Sequence, residues 1–286
     1  MNTAFDAAIF KQQTRAQWDI SAPGWNAHSA MIRQWLAVAT RAMLDIAAIG
    51  EDMRVLDVAA GAGDQTLDIA SRVGPQGSVL VTDLSPAILE IAARNLAEAG
   101  FANAEIRVMD AEDMKLEDAS FDAALSRLGL MLCPDPLAAL SGIYAALKPG
   151  GRACTLVFST PQANPCVSIL MQVALSHAGL PQADPFRPGT LFSLGKPGMI
   201  DDLFAKAGFA DVATTAISAP FELASAAAYL DFIQSSASPI LSILKGLDRD
   251  RQEAAWAAME AALGRFDHAG GWSGPNELLL TCGTKL

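Results

Sequence analysis

The sequence is poor in the residues that build metal centres and disulfide frameworks. Four cysteines in 286 residues, Cys133, Cys154, Cys166 and Cys282, are widely spaced and show no CxxC or Cys/His ligand spacing. They are expected as buried thiols, and neither structural zinc, a catalytic metal nor a disulfide is expected. Basic residues are also scarce. Twenty Lys and Arg against 31 Asp and Glu leave a formal charge of -11, with no basic cluster to override the average. A polyanionic backbone would be repelled by that field, so nucleic acid is not an expected substrate. No stretch offers about 18 uninterrupted apolar residues, and the opening MNTAFDAAIFKQQTRAQWDI lacks an apolar signal core. The expectation is a cytoplasmic protein without a membrane span. A homodimer is left open.

Apolar side chains are abundant. Hydrophobic residues make up 51% of the chain, with 22 Gly and 15 Pro, enough for one large core domain carrying insertions. Residues 5 to 49 repeat apolar positions at helical spacing, with a break expected at the SAPGW segment (21–25), where Pro23 and Gly24 interrupt the pattern. From residue 53 the pattern changes. Strands are expected at 53–58, 77–83, 104–110, 121–128 and 151–159, alternating with helices, one of them capped by Ser85 with Pro86 in its first turn and another at 134–151. Such alternation implies right-handed crossovers and an α/β, Rossmann-like, doubly wound, mostly parallel sheet. A Pro-rich stretch (160–197) precedes a helix at 198–208 and strands at 210–218 and 277–284. The helical segments at 1–49, 160–195 and 223–265 are expected as lids over a core spanning 50–286, where open α/β sheets bind ligands.

The chemistry is concentrated at strand ends. After the first strand, Asp57-Val58-Ala59-Ala60-Gly61-Ala62-Gly63-Asp64-Gln65-Thr66 forms a small-residue turn that lets backbone approach a ligand, although tight strand-to-helix packing needs such a turn too. A dinucleotide fingerprint beginning at Gly61 would need its third glycine at Thr66. Moreover, Asp57 and Asp64 put carboxylates where a pyrophosphate would have to bind. A ligand with an ammonium and a sulfonium but no phosphate suits that acidity better. Asp83 ends the second strand, where a carboxylate can take two ribose hydroxyls; capping the next helix is the alternative, but Ser85 already holds that position. Asp110, followed by Ala111 and Glu112, can accept from an adenine amino group or serve only as a loop carboxylate.

In their order and spacing, VLDVAAGAGDQTL, VTDLSPAIL, RVMDAED, FDAALSRLGLMLCPDP and ALKPGG resemble the class I S-adenosylmethionine-dependent methyltransferases, specifically the branch of the ubiquinone/menaquinone biosynthesis methylases. The likeness covers 53–159 and extends through KPGMIDDLFAKAGFADV to about 212. It implies a seven-stranded sheet and S-adenosylmethionine as cofactor. It also implies that Asp57, Ala59, Gly61, Gly63 and Thr66 line the methionine end, Asp83 and Leu84 the ribose, and Asp110, Ala111 and Glu112 the adenine. Ser126 and Arg127 would lie near the methyl group or the methionine carboxylate. Ala59 departs from the glycine often found there, which is tolerable if its φ is negative.

In this family the N-terminal segment folds over the cofactor. Trp18, Trp25, His28, Arg127 and Met131 are therefore expected to face the acceptor, with His28 and Arg127 as catalytic candidates. The tryptophans equally suit packing of the extension, His28 a structural role, and Arg127 a structural salt bridge. The expected reaction is O-, C- or N-methylation of a small, partly hydrophobic acceptor in small-molecule biosynthesis. Two alternatives are a nicotinamide-dependent oxidoreductase, which the acidic turn and Thr66 disfavour, and a non-catalytic nucleoside-binding or scaffold protein of the same fold.

Overall fold

The computed structural model describes residues 6–182 and 184–286, so the first five residues of the expected N-terminal extension lie outside the described chain. Helix α1 (Ala7–Ala27) and helix α2 (Ser29–Ile46) precede strand β1 (Arg54–Val58). The alternating part follows with α3 (Asp64–Val73), β2 (Ser78–Asp83), α4 (Pro86–Glu98), β3 (Ala104–Val108), β4 (Phe121–Arg127), α5 (Pro136–Ala146) and β5 (Leu147–Phe158). Then come α6 (Pro165–Ala178), α7 (Met199–Lys206), β6 (Ala210–Ser218) and β7 (Phe221–Leu223). The chain closes with α8 (Ala226–Ser236), α9 (Ser238–Leu244), α10 (Arg249–Leu263), β8 (Asp267–His268), β9 (Gly271–Gly274) and β10 (Glu277–Thr284).

Seven strands form one sheet in the order β3-β2-β1-β4-β5-β10-β6. β1 to β5 pair in parallel, and β10 runs antiparallel between β5 and β6. The core strands are continuous apolar runs because both faces are covered: Val55, Leu56, Val79, Val81, Ala123 and Leu125 are all buried. Helices α2, α3 and α4 pack as one layer, and α5 and α7 as another. The order reverses between β1 and β4, and the chain leaves those two strands in opposite directions. That is the crevice at which open α/β sheets take ligands.

Three local features differ from the sequence expectation. No break occurs at Pro23: α1 runs through it and ends at Ala27, with His28 as the joint to α2. Proline in a helix interior loses one hydrogen bond, but Ser21 and Ala22 are fully buried, so tertiary packing holds the helix together. Gly24 has a different role, because a Cβ there would collide with the Ser235 carbonyl oxygen of α8. Second, α5 stops at Ala146 and the KPGG segment already belongs to β5, whose pairing with β4 shifts register beside Phe121. Third, β7, β9 and β8 make a separate three-stranded sheet around the buried Trp272. Nothing in the local pattern pointed to that sheet.

Candidate functional site

The cavity lies over the crevice, between the strand-end turns and α1. Its floor is the turn after β1 (Val58 to Gly61) together with Arg127, Leu128 and Gly129 after β4. One wall carries Asp83 and Leu84 from the end of β2 and Asp110, Ala111 and Glu112 from the end of β3. Phe10, Lys11, Thr14, Trp18 and Trp25 of α1 form the roof.

The turn after β1 is held by hydrogen bonds that cross between strands. The Gly61 N–H donates to Asp83 Oδ2 (3.0 Å) and the Ser85 N–H to Asp83 Oδ1 (2.9 Å). Asp83 faces the cavity, and burial raises its carboxyl above the ordinary value despite those bonds, with Asp19 of α1 adding to the rise. Ser85 caps α4 by accepting from the Ile88 N–H and donates its own hydroxyl to Asp19. Ala59 has φ 55°, not the negative value that would suit alanine, and Leu128 has φ 61°. These two left-handed residues end the neighbouring strands β1 and β4 and both line the cavity. Strain concentrated there is what ligand sites commonly carry. Gly129 makes the arrangement possible, because a Cβ at 129 would strike the Ala59 methyl.

Asp57 stands beneath the turn, fully buried, and takes hydrogen bonds from Thr66 Oγ1 (2.6 Å) and from the Gln65 side-chain amide. Burial pushes its carboxyl up to about 6, against the pull of those bonds and of Arg127. In the first turn of α3, Asp64 Oδ1 accepts from Ser29 Oγ, while Asp64 Oδ2 and Gln65 Oε1 have no protein partner. Both residues line the cavity. Arg127 gives one hydrogen bond, to Thr40 Oγ1 at 2.8 Å, and is in no ion pair among the described residues. Burial lowers its basicity, and Asp64 is the carboxylate that counters this most.

Of the residues singled out from the sequence, Ala59, Gly61, Asp83, Leu84, Asp110, Ala111, Glu112, Trp18, Trp25 and Arg127 line this one cavity. Asp57, Gly63, Thr66 and Ser126 lie below its surface, and Met131 is buried beside it. His28 stands off the lining: its Nδ1 is 3.0 Å from the Gly24 carbonyl, its Nε2 is 3.3 Å from Asp231, and its ring packs on Phe232. The cavity also takes in residues the sequence reading passed over, among them Lys11, Thr14, Leu36, Gln65, Leu128 and Cys133. Of these, Gln65, Leu128 and Cys133 fall within motifs the sequence reading quoted, whereas Lys11, Thr14 and Leu36 had no local signal. Among the described residues no group of His, Cys, Asp and Glu has the arrangement of a metal site, and no helix is long and apolar enough to cross a membrane.

Residues 49–182, which contain the floor and both acidic strand ends, match the model of a methyltransferase domain. That segment, just under half of the chain, is similar to a methyltransferase domain. The chain is similar to the ubiquinone/menaquinone biosynthesis C-methyltransferase of Idiomarina loihiensis, with 35% identity over 122 residues, 42% of this chain and 49% of that protein. The chain thus spans about half the length of the curated relatives it matches. Among solved structures, a putative methyltransferase from Bacillus halodurans superposes with TM-score 0.56 at 20% identity, covering 86% of this chain and 98% of that one. The [4+2]-cyclase SpnF superposes with TM-score 0.60 at 19% identity, covering 96% and 97%. These likenesses show the same fold across nearly the whole chain.

Proposed function

We propose that the chain transfers a methyl group from S-adenosylmethionine to a small, partly hydrophobic acceptor. The observation that carries this reading is the charge of the cavity. Asp64, Asp83, Asp110 and Glu112 face it, against Lys11 and Arg127. An excess of carboxylates suits a cationic ligand and repels a pyrophosphate, which counts against a nicotinamide dinucleotide.

The donor set also fits the shape of that cofactor. Partnerless acceptors on Asp64 and Gln65 beside the under-used guanidinium of Arg127 match an ammonium and a carboxylate on one carbon, the amino-acid end of S-adenosylmethionine. In this reading Asp83 takes the ribose hydroxyls and Asp110 the adenine amino group. When bound, the cofactor supplies a methyl group already activated on a sulfonium. The chain's own residues then align and exclude water: Trp18 and Trp25 roof the cavity, and Leu36 and Leu132 give it apolar wall. Among the described residues no histidine lines it, so any base in the wall would be one of its carboxylates. Weak bases of that kind favour an acceptor which reacts as an ionised phenolate or an enolate-like carbon, and the similarity to proteins named ubiquinone/menaquinone biosynthesis C-methyltransferases favours an aromatic one.

Thermal unfolding tests the cofactor. S-adenosylhomocysteine raises the midpoint and NAD does not, since only a ligand of the folded state stabilises it. Transfer of labelled methyl to a panel of hydroquinones, phenols and amines then tests the acceptor. Protection by NAD alone would remove the proposal, whereas cofactor binding without turnover on any acceptor would leave a nucleoside-binding protein on the same fold.

A further inference from the structure

Helix α1 roofs the cavity, yet its first turns bury little. Ala7, Ala8 and Ile9 are exposed, Ile9 at 54%. What holds this end is the next pair of residues. The Phe10 ring lies where a Cβ on residue 189 would stand, so only glycine leaves it room. Lys11 Nζ sits 2.8 Å from Asp110 Oδ2 and 2.6 Å from Glu112 Oε2. Adjacent residues of one helix thus pack on a loop glycine and on the acidic wall of the cavity.

The acidic partners are fixed in advance. Asp110 Oδ1 accepts the Glu112 N–H at 2.9 Å, and Glu112 Oε1 accepts the N–H of Asp135, the residue that caps α5. The ammonium is therefore the movable part. Its side chain is 24% exposed and that of Glu112 is 7% exposed, unlike the solvated pair of Lys115 and Asp113 at 82% and 66%. Partial burial opposes the charge on Lys11, but hydrogen bonds and attraction from Asp110 and Glu112 outweigh it and hold the ammonium above its ordinary value, so it stays charged.

We propose that Lys11 is a positioning residue, the catch that holds α1 closed over the cofactor cavity and sets how fast spent cofactor leaves. The inference rests on the S-adenosylmethionine reading above. Two half-buried ion pairs on one ammonium are strong enough to bias the helix toward closure and weak enough to break on the timescale of lid motion. Because Asp110 is also the carboxylate assigned to adenine, the catch lies against the ligand and closes on the occupied site. Carboxylate oxygens have lone pairs for both partners.

Stopped-flow release of S-adenosylhomocysteine from wild type, Lys11→Met and Lys11→Arg tests it, at ionic strengths of about 0.01 and 1 M, where the screening length falls from ~30 to ~3 Å. Lys11→Met speeds release about five- to tenfold at low salt and removes most of its salt dependence, wild type accelerates with salt, and Lys11→Arg stays within about twofold of wild type. Association also quickens in Lys11→Met, because an unlatched roof admits as well as releases. Release at the wild-type rate from Lys11→Met, or equal salt acceleration of both proteins, would overturn the catch while leaving the cofactor assignment standing. Loss of all binding in a folded Lys11→Met would make the residue a ligand instead of a catch. Failure of the wild type itself to bind S-adenosylhomocysteine removes the cofactor reading, and the catch with it.

Discussion

The backbone N–H of Gly61 donates to Asp83 Oδ2, tying the turn that leaves β1 to the carboxylate that ends β2. The floor of the cavity and its assigned ribose site are thereby one unit. Asp83→Ala removes an acceptor for the cofactor and weakens S-adenosylhomocysteine binding by about 1.5–3 kcal/mol, the range for hydrogen bonds to a charged group. The variant stays folded but loses roughly 1 kcal/mol of stability, because Gly61 and Ser85 lose their partner. Calorimetric titration of the folded variant decides it, and an unchanged affinity would remove the ribose assignment.

Ala59 carries left-handed strain that a glycine would not. Relief of ~1–2 kcal/mol, less ~0.5–1 kcal/mol of added unfolded-state freedom, leaves Ala59→Gly more stable by about 0.5–1 kcal/mol. Urea unfolding reads this directly, and a less stable variant contradicts it.

Asp57 makes stability depend on pH. Its carboxyl titrates near about 6 when folded and near ~3.9 in an unfolded chain. Between these values the folded protein holds a proton that the unfolded chain has lost, so stability falls as pH rises through that window. Above it the full penalty remains, roughly 3 kcal/mol. Asp57→Asn keeps the shape, lets the Thr66 hydroxyl turn to accept, and should flatten this part of the pH profile, gaining most above about pH 7. Parallel wild-type and variant profiles would show that Asp57 does not titrate there.

Gly24 lets α1 touch α8. Alanine there gains ~0.5–1 kcal/mol in helix propensity, but its methyl meets the rigid Ser235 carbonyl, and overpacking costs ~1–3 kcal/mol. The clash wins. Gly24→Ala should speed amide exchange across α1 while the central strands stay protected, and S-adenosylhomocysteine should restore part of the lost protection. Unchanged exchange in α1 would mean that the contact is easily relaxed.

His28 joins α1 and α2 to α8 and stands off the cavity lining. His28→Ala should therefore cost about 1 kcal/mol of stability and, once an acceptor is known, leave the shape of the kcat pH profile unchanged. A large fall in kcat at constant KM would instead bring the ring to the acceptor as a base.

Local chemistry was readable along the chain. Ser85 and Pro86 announce the start of α4, because a cap bonds a backbone N–H three residues ahead. The buried strands β1 and β2 announce themselves as short apolar runs with Asp57 next to last and Asp83 last, and the acidic residues there already argue for a cationic guest. The left-handed backbone of Ala59 is different, because it depends on Gly129, in the turn after β4, leaving room for its methyl. The uninterrupted α1 likewise depends on burial of Ser21 and Ala22, which outweighs the usual effect of Pro23. The catch needs Lys11 and Asp110, 99 residues apart, to meet, and the packing of α1 on α8 needs Gly24 to lie on Ser235. Propensity and periodicity act over a few residues and can be read in order. Which ammonium meets which carboxylate, and which side chain must be absent, is decided only when the sheet closes and brings distant segments to its edge.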